Sequence, residues 1–203
     1  MTKYTRGVSL PDYVRGLPSR VEREDVDYLS VKGALTVPDF SLRNELLKSY
    51  IHHVHTYIPI LDPDEFLQEI FQNDGICRIS LRLFQAVMFT GTAFVDLNHN
   101  HANGYPTRKA ARKSFFQRTR LLYGFNCEID RISLVQSLLL MTYWYETPRD
   151  RKDSRHQIDI SYYLAQTIGL HRDPANYCME IKHQRMWKRI WWSIYTRDRL
   201  IAL

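Results

Sequence analysis

The sequence is poor in cysteine: Cys77, Cys127 and Cys178 are its only three, and no two of them form a CxxC pair. That excludes a disulfide framework and a zinc cluster built on this chain, and it favours a reducing intracellular compartment. Long apolar runs are also missing. The most apolar window, Leu134 to Tyr145, is broken by Gln136, Ser137 and Thr142, and it falls well short of the roughly 18 residues that a membrane span requires. The start, Met1-Thr2-Lys3-Tyr4-Thr5-Arg6, leads into Pro- and charge-containing sequence, so no signal peptide is read there. No Walker loop, dinucleotide fingerprint, GxSxG or HExxH occurs, which removes the commonest catalytic motifs.

What is present suits a folded helical domain. The chain has 203 residues, 44% apolar and 25% charged, with 13 Tyr, 9 Phe and 4 Trp to fill a core with large rings. A chain of this length buries roughly 70% of its unfolded surface, so a sizeable core is available. The formal net charge of +6 favours acidic partners without specifying any.

Residues 1–38 contain Pro11, Pro18, Pro38, Gly7, Gly16 and Gly33 with little periodicity, and they read as an extended or turn-rich lead-in wrapping the domain surface. From Ser41 a helical stripe begins with Leu42, Leu46, Leu47, Tyr50, Ile51 and Val54, which Pro59 ends. Asp62-Pro63-Asp64-Glu65 supplies an N-cap, a proline at the first helical position and a glutamate three residues after the cap. Asn73-Asp74-Gly75 breaks that helix. A further helix from about Ser80 carries Leu81, Phe84, Val87, Met88 and Val95 inward, with Gly91 permitting close approach. Asn98 to Pro106 reads as loop, Thr107 to Tyr123 as helix, and Asp130 as the cap of a helix that is apolar nearly all round and so expected to be central. Ile158, Tyr162, Ala165 and Ile168 mark another helix, which Gly169 can end. No strand alternation competes. The expected fold is all-α, a multi-helix array of about seven helices, with residues 39–203 as one domain. The last helix reaches Leu203 without a terminating signal, so the array reads as C-terminally incomplete.

The most distinctive stretch runs from Ile168-Gly169-Leu170-His171-Arg172-Asp173-Pro174 to Trp187-Lys188-Arg189-Ile190-Trp191-Trp192 and on to Asp198. It resembles the regulatory middle region of fungal binuclear zinc-cluster transcription factors, where a Leu-Gly-Leu-His-Arg-Asp run precedes a basic helix carrying Trp-Trp and a later Asp. The likeness extends to His55, Tyr57, Pro59, Ile60, Leu61 and Phe66, an aromatic-His-Pro segment. Val135-Gln136-Ser137-Leu138-Leu139-Leu140 is similar to the family's Val-Gln-Ala-Leu-Leu-Leu helix. Leu10-Pro11-Asp12-Tyr13 and Gly33-Ala34-Leu35-Thr36-Val37-Pro38 look most like the cutinase-regulator branch.

The resemblance implies a nuclear regulatory domain that works through protein partners or the rest of a transcription factor, with no membrane contact and no catalytic site. In the family, DNA is read by an N-terminal six-cysteine cluster holding two zinc ions, which this chain lacks, so no cofactor is expected here. The signature residues it marks as structural are Gly169, His171, Arg172, Asp173, Arg189, Trp191, Trp192 and Asp198. A Gly-Arg-Pro segment and further helices usually follow in the family, so the chain resembles a fragment.

Five features carry a physical reading of their own. His171-Arg172-Asp173 has the form of a kinase catalytic loop, but the Asn required five residues after the Asp is here Cys178. At 100° per residue Asp198 falls on the same side as Trp187, Ile190, Trp191, Ile194 and Ile201. A buried carboxylate needs a partner, and Arg172 or His171 is the expected one. Trp192 points instead towards Arg185, Lys188, Arg189 and Arg199, either stacked on Lys188 or covered by another layer. Arg108, Lys109, Arg112, Lys113, Arg118 and Arg120 lie in an acid-free stretch from Leu97 to Cys127. They form either a solvated face or a surface for phosphates or an acidic protein, so direct nucleic-acid binding is one alternative function. The other is a helical metal-binding protein or enzyme using His52 with His55, one turn apart, and His99 with His101.

Overall fold

Why the chain folds as helices is visible at their ends. The computed structural model describes residues 10–76, 78–96, 103–144 and 150–202. Among them are eight α-helices: α1 (Arg23–Val31), α2 (Phe40–His53), α3 (Pro63–Gln72), α4 (Leu81–Gly91), α5 (Arg108–Gly124), α6 (Arg131–Met141), α7 (Asp150–Thr167) and α8 (Ile181–Ala202). Asp39, Asp62, Ser80, Thr107 and Asp130 each accept a bond from a backbone N–H of the turn they precede, satisfying donors that a helix start leaves orphaned. At the other end of α3, Asn73 takes the left-handed conformation, φ 47°, and stops the helix. The chain is all-α among the described residues, with one helix more than the sequence pattern suggests.

The additional helix is α1, inside the expected extended lead-in. Glu24 and Asp25 occupy its first turn, where carboxylates favour the helix dipole. Gly33, φ 70°, closes it: the Ala34 N–H bonds Leu29 O at 2.9 Å and the Gly33 N–H bonds Ser30 O at 2.9 Å, the paired bonds of a Schellman stop. Leu29 is fully buried, and so are Tyr13, Val14, Ala34 and Leu35. The described lead-in therefore runs over the domain while sending these five side chains into the core. An isolated parallel bridge between Val14 and Ile79 pins it, through Ile79 N–H to Tyr13 O and Arg15 N–H to Ile79 O, both 2.8 Å.

Helix α4 is the hub. All eleven of its residues are buried, and it packs against α2, α5 and α6. At the α2 crossing, a Cβ on Gly91 would overlap the backbone carbonyl of Leu46, so only glycine lets the two backbones meet. Ser49 Oγ donates to Gly91 O across this contact at 2.9 Å. Helix α6, expected to be central, is buried from Val135 to Met141 but carries the fold outward: it contacts α7, and α7 contacts α8. Within the Val-Gln-Ser-Leu-Leu-Leu motif, Gln136 Nε2 donates to Ile60 O at 2.6 Å, tying the aromatic-His-Pro segment to α6.

Candidate interaction face on the Trp-Trp helix

The turn from α7 into α8 follows from three residues. Gly169, φ 85°, ends α7 with a second Schellman stop, in which Leu170 N–H bonds Ala165 O at 2.9 Å and Gly169 N–H bonds Gln166 O at 3.0 Å. Leu170 is driven into the core, while His171 and Arg172 stay exposed. Asp173 then caps a 3-10 turn, Pro174–Asn176, by accepting the Ala175 N–H at 3.2 Å, and Pro174 opens it. Lys188 Nζ reaches the same carboxylate at 3.3 Å. The Ala175 N–H and the Lys188 ammonium hold the Asp173 carboxyl below its ordinary range. His171-Arg172-Asp173 is thus a structural junction.

Helix α8 presents two unlike faces. Inward, Ile190 and Ile194 are fully buried, with Trp187, Trp191 and Ile201 packed beside them. The Trp191 ring sits 5.4 Å from that of Tyr162 and 6.0 Å from that of His171. Asp198 is paired, but with Arg155 on α7, at 3.0 Å, and not with Arg172 or His171. The direction of the two helices decides the pairing. Helices α7 and α8 are joined by the short junction and contact each other, and Arg155 near the start of α7 lies on Asp198 near the end of α8, so they run antiparallel. Arg172, in the junction, lies at the far end of α8, roughly 25 Å away at 1.5 Å per helical residue. Arg155 also holds Asp159 at 3.0 Å, an i, i+4 spacing that the sequence displays. Arg197, which periodicity does not single out, donates to Thr142 Oγ1 and Thr142 O at 2.9 Å each and lies over the Tyr143 ring.

Outward, the α8 surface is aromatic and basic. Trp192 is 60% exposed and Tyr195 meets it edge-on at 5.7 Å. The Lys188 stacking weighed for Trp192 gives way to the ion pair with Asp173. Beside Trp192 lies a shallow groove of about 300 Å³, lined by Tyr57, Pro59, Lys188, Arg189, Trp192, Ser193 and Thr196. The two halves of the signature, distant in sequence, therefore share one surface. Tyr57, at the groove's other wall, is 80% exposed. Near the start of α8, Lys182 pairs with Glu65 at 2.7 Å and with Asp62 at 3.3 Å, joining α8 to the N-terminal end of α3. Burial alone would raise the Asp62 carboxyl, but the Glu65 N–H and the Lys182 ammonium outweigh it and hold the pKa below the ordinary value. Behind the groove His55 is half-buried with its Nδ1 unbonded, and burial with the nearby Arg189 charge lowers its pKa.

The basic stretch on α5 divides. Arg108 donates to Val95 O at 3.0 Å, Arg112 to Tyr143 O at 2.8 Å, and Arg118 to the Tyr105 hydroxyl at 3.1 Å while covering the Phe115 ring. These three cations serve the chain's own carbonyls and rings, while Arg108, Lys109, Lys113 and Arg120 are all exposed. The histidines do not converge either. His52 Nδ1 lies 2.8 Å from Lys48 O, His53 stacks on Phe94 at 5.0 Å, and His55 packs on Tyr50. His99 and His101 lie outside the described residues. Among the described residues no three His, Cys, Asp or Glu side chains are grouped so as to hold a metal ion.

Comparison with known proteins matches the family described as "Fungal specific transcription factor domain" to residues 47–203. Similar curated proteins include cutinase transcription factor 1 beta of Fusarium vanettenii, 55% identical over 96% of this chain and 22% of its own length. Cutinase transcription factor 1 alpha of the same organism is 35% identical over 96% of this chain and 22% of its own. Transcription factor cpaR of Aspergillus oryzae is 36% identical over 98% and 33%. The chain thus spans a fifth to a third of the length of these relatives. No solved structure matches.

Proposed function

The chain belongs to the fungal specific transcription factor domain family, and from that premise we propose that it is a regulatory scaffold within a nuclear transcription factor, working through protein contacts on the outward face of α8. Residues 39–203 form the regulatory domain, and residues 1–38 lead into it. The observation that carries this reading is the exposed Trp192, set between Tyr57, Tyr195, Lys188 and Arg189 on the helix whose opposite face is locked into the core. Exposed aromatics ringed by cations suit a partner with apolar anchors and acidic flanks, either another protein or another segment of the same factor.

Sequence-specific DNA contact belongs, on this reading, to a zinc cluster outside this chain. The residues present do not fit two zinc ions: three cysteines cannot supply six thiolates, and of the two described, Cys127 is half-buried and Cys178 exposed. No catalytic step is assigned. The test is a reporter assay in which the chain is placed between a heterologous DNA-binding module and an activation segment. Wild type should change reporter output, and Trp192→Ala should reverse most of that change while leaving the melting temperature unaltered. Equal outputs from wild type and Trp192→Ala would refute the proposal.

A further inference from the structure

On another face, the described lead-in, the start of α2 and the end of α3 line an open cleft of about 640 Å³. That volume lies within the range of small-molecule sites, roughly 300 to 1,000 Å³. Leu35, Val37 and Ile70 line it, and Phe40 and Phe71 stand over it 69% and 54% exposed. Among the described lining residues its cation is Arg43. The guanidinium lies 5.0 Å from the centroid of Phe40, 5.5 Å from Tyr13 and 5.9 Å from Phe71, a frame of rings that fixes its orientation. Arg43 Nη1 donates to the Tyr13 hydroxyl and Nε to Asn44 Oδ1, both at 3.3 Å. Among the described residues no carboxylate forms an ion pair with it. A guanidinium carries five N–H donors, so most of its capacity remains to be used.

We infer that this cleft binds a small apolar monoanion, a carboxylate on a flat hydrophobic body, with the carboxylate on Arg43 and the body against Phe40 and Phe71. The site asks for both halves of such a ligand. A free inorganic anion would gain the charge-assisted bonds but leave the rings wet, and a neutral apolar molecule would leave the guanidinium without its counter-charge. The first nine residues of the chain are not a complementary occupant, since they carry Lys3 and Arg6 and no carboxylate. The inference is independent of the regulatory reading and stands or falls by binding alone.

The experiment is a calorimetric titration of the 203-residue chain with 2-naphthoate, repeated with 2-naphthamide, which keeps the rings and removes the charge. Naphthoate should bind saturably in the millimolar range or tighter. Loss of a charge-assisted bond, about 1.5 to 3 kcal/mol, makes both naphthamide on wild type and naphthoate on Arg43→Gln weaker by about 10-fold to 100-fold. Phe40→Ala, a change at an exposed ring, should weaken naphthoate while leaving the fold intact, and it decides the matter if Arg43→Gln unfolds. Inorganic phosphate should not compete. Absence of saturable naphthoate binding, as expected if the cleft instead receives a polypeptide, overturns the inference. So does equal affinity for the amide, or displacement by phosphate at comparable concentration.

Discussion

Replacing Gly91 with alanine sets two effects of opposite sign against each other at the crossing of α2 and α4. Helix propensity alone favours alanine by about 0.8 to 1.0 kcal/mol. Against it, the new Cβ would overlap the Leu46 carbonyl oxygen and lie 3.0 Å from its carbon, and both are backbone atoms that no rotamer change can move. The helices must separate, and overpacking of this kind costs about 1 to 3 kcal/mol. Separation also stretches the buried bond from Ser49 Oγ to Gly91 O, worth about 1 kcal/mol. The sum is a net loss of about 2 kcal/mol, which for a domain of this size lowers the melting temperature by roughly 4 to 8 °C. The assay is thermal and urea unfolding of Gly91→Ala beside Gly124→Ala. Gly124 is also helical, but a Cβ there meets nothing within 4 Å, so only propensity acts and stability should hold or rise. If Gly91→Ala is as stable as Gly124→Ala, the close backbone approach is wrong.

Other outcomes follow from the site. A double-mutant cycle on Arg155→Ala and Asp198→Ala should give a coupling of about 0.5 kcal/mol, while Arg172→Ala with Asp198→Ala should be additive; the reverse pattern would restore the junction arginine as the partner. Trp191→Ala should cost about 3 kcal/mol, the low end for a large aromatic, because its half-buried ring packs against Tyr162 and His171. His55 has a folded-state pKa below its unfolded value, so the unfolded chain binds the proton more readily. The stability His55 contributes is present above pH 6.5 and is lost as pH falls through that value towards the lower folded pKa. Denaturation midpoints between pH 7.5 and 5.5 should therefore drop less for His55→Gln than for wild type, and identical slopes would remove His55 from the account.

What the sequence reveals here is local, and what it conceals is directional. The caps at Asp62, Asp130 and Asp173, the stop at Gly169 and the close approach at Gly91 rest on backbone chemistry that one residue type at one position expresses. Helix α1 is hard to see because its core contribution is one fully buried side chain, Leu29, amid prolines and glycines. The partner of Asp198 depends on α7 and α8 running antiparallel, and no periodicity encodes that. Arg112 and Arg197 look like solvated charges on a helical wheel. In the fold they cap the end of α6, where Thr142 and Tyr143 expose carbonyls that no further helical turn satisfies.

Adjacent tryptophans on a helix stand about 100° apart, so one helix cannot bury both against one neighbour. Here Trp191 is held between Tyr162 and His171, and that contact sets the rotation of α8 and so aims Trp192 outward beside Tyr57. An aromatic side chain carries about 150 to 250 Å² of surface, so covering the 60% of Trp192 now exposed is worth about 3 kcal/mol at 25 cal/mol per Å². Because ordering and association costs offset part of any buried area, this sets an upper bound of order 100-fold on the change in a partner's affinity. The Lys188 ammonium beside Trp192 is already committed to Asp173, 3.3 Å away. That ion pair ties α8 to the junction, whereas Trp192 meets only the Tyr195 edge among the described ring contacts and stays 60% exposed. On the proposed reading, a residue whose burial is worth this much and which the fold leaves 60% exposed acts in association rather than in stability.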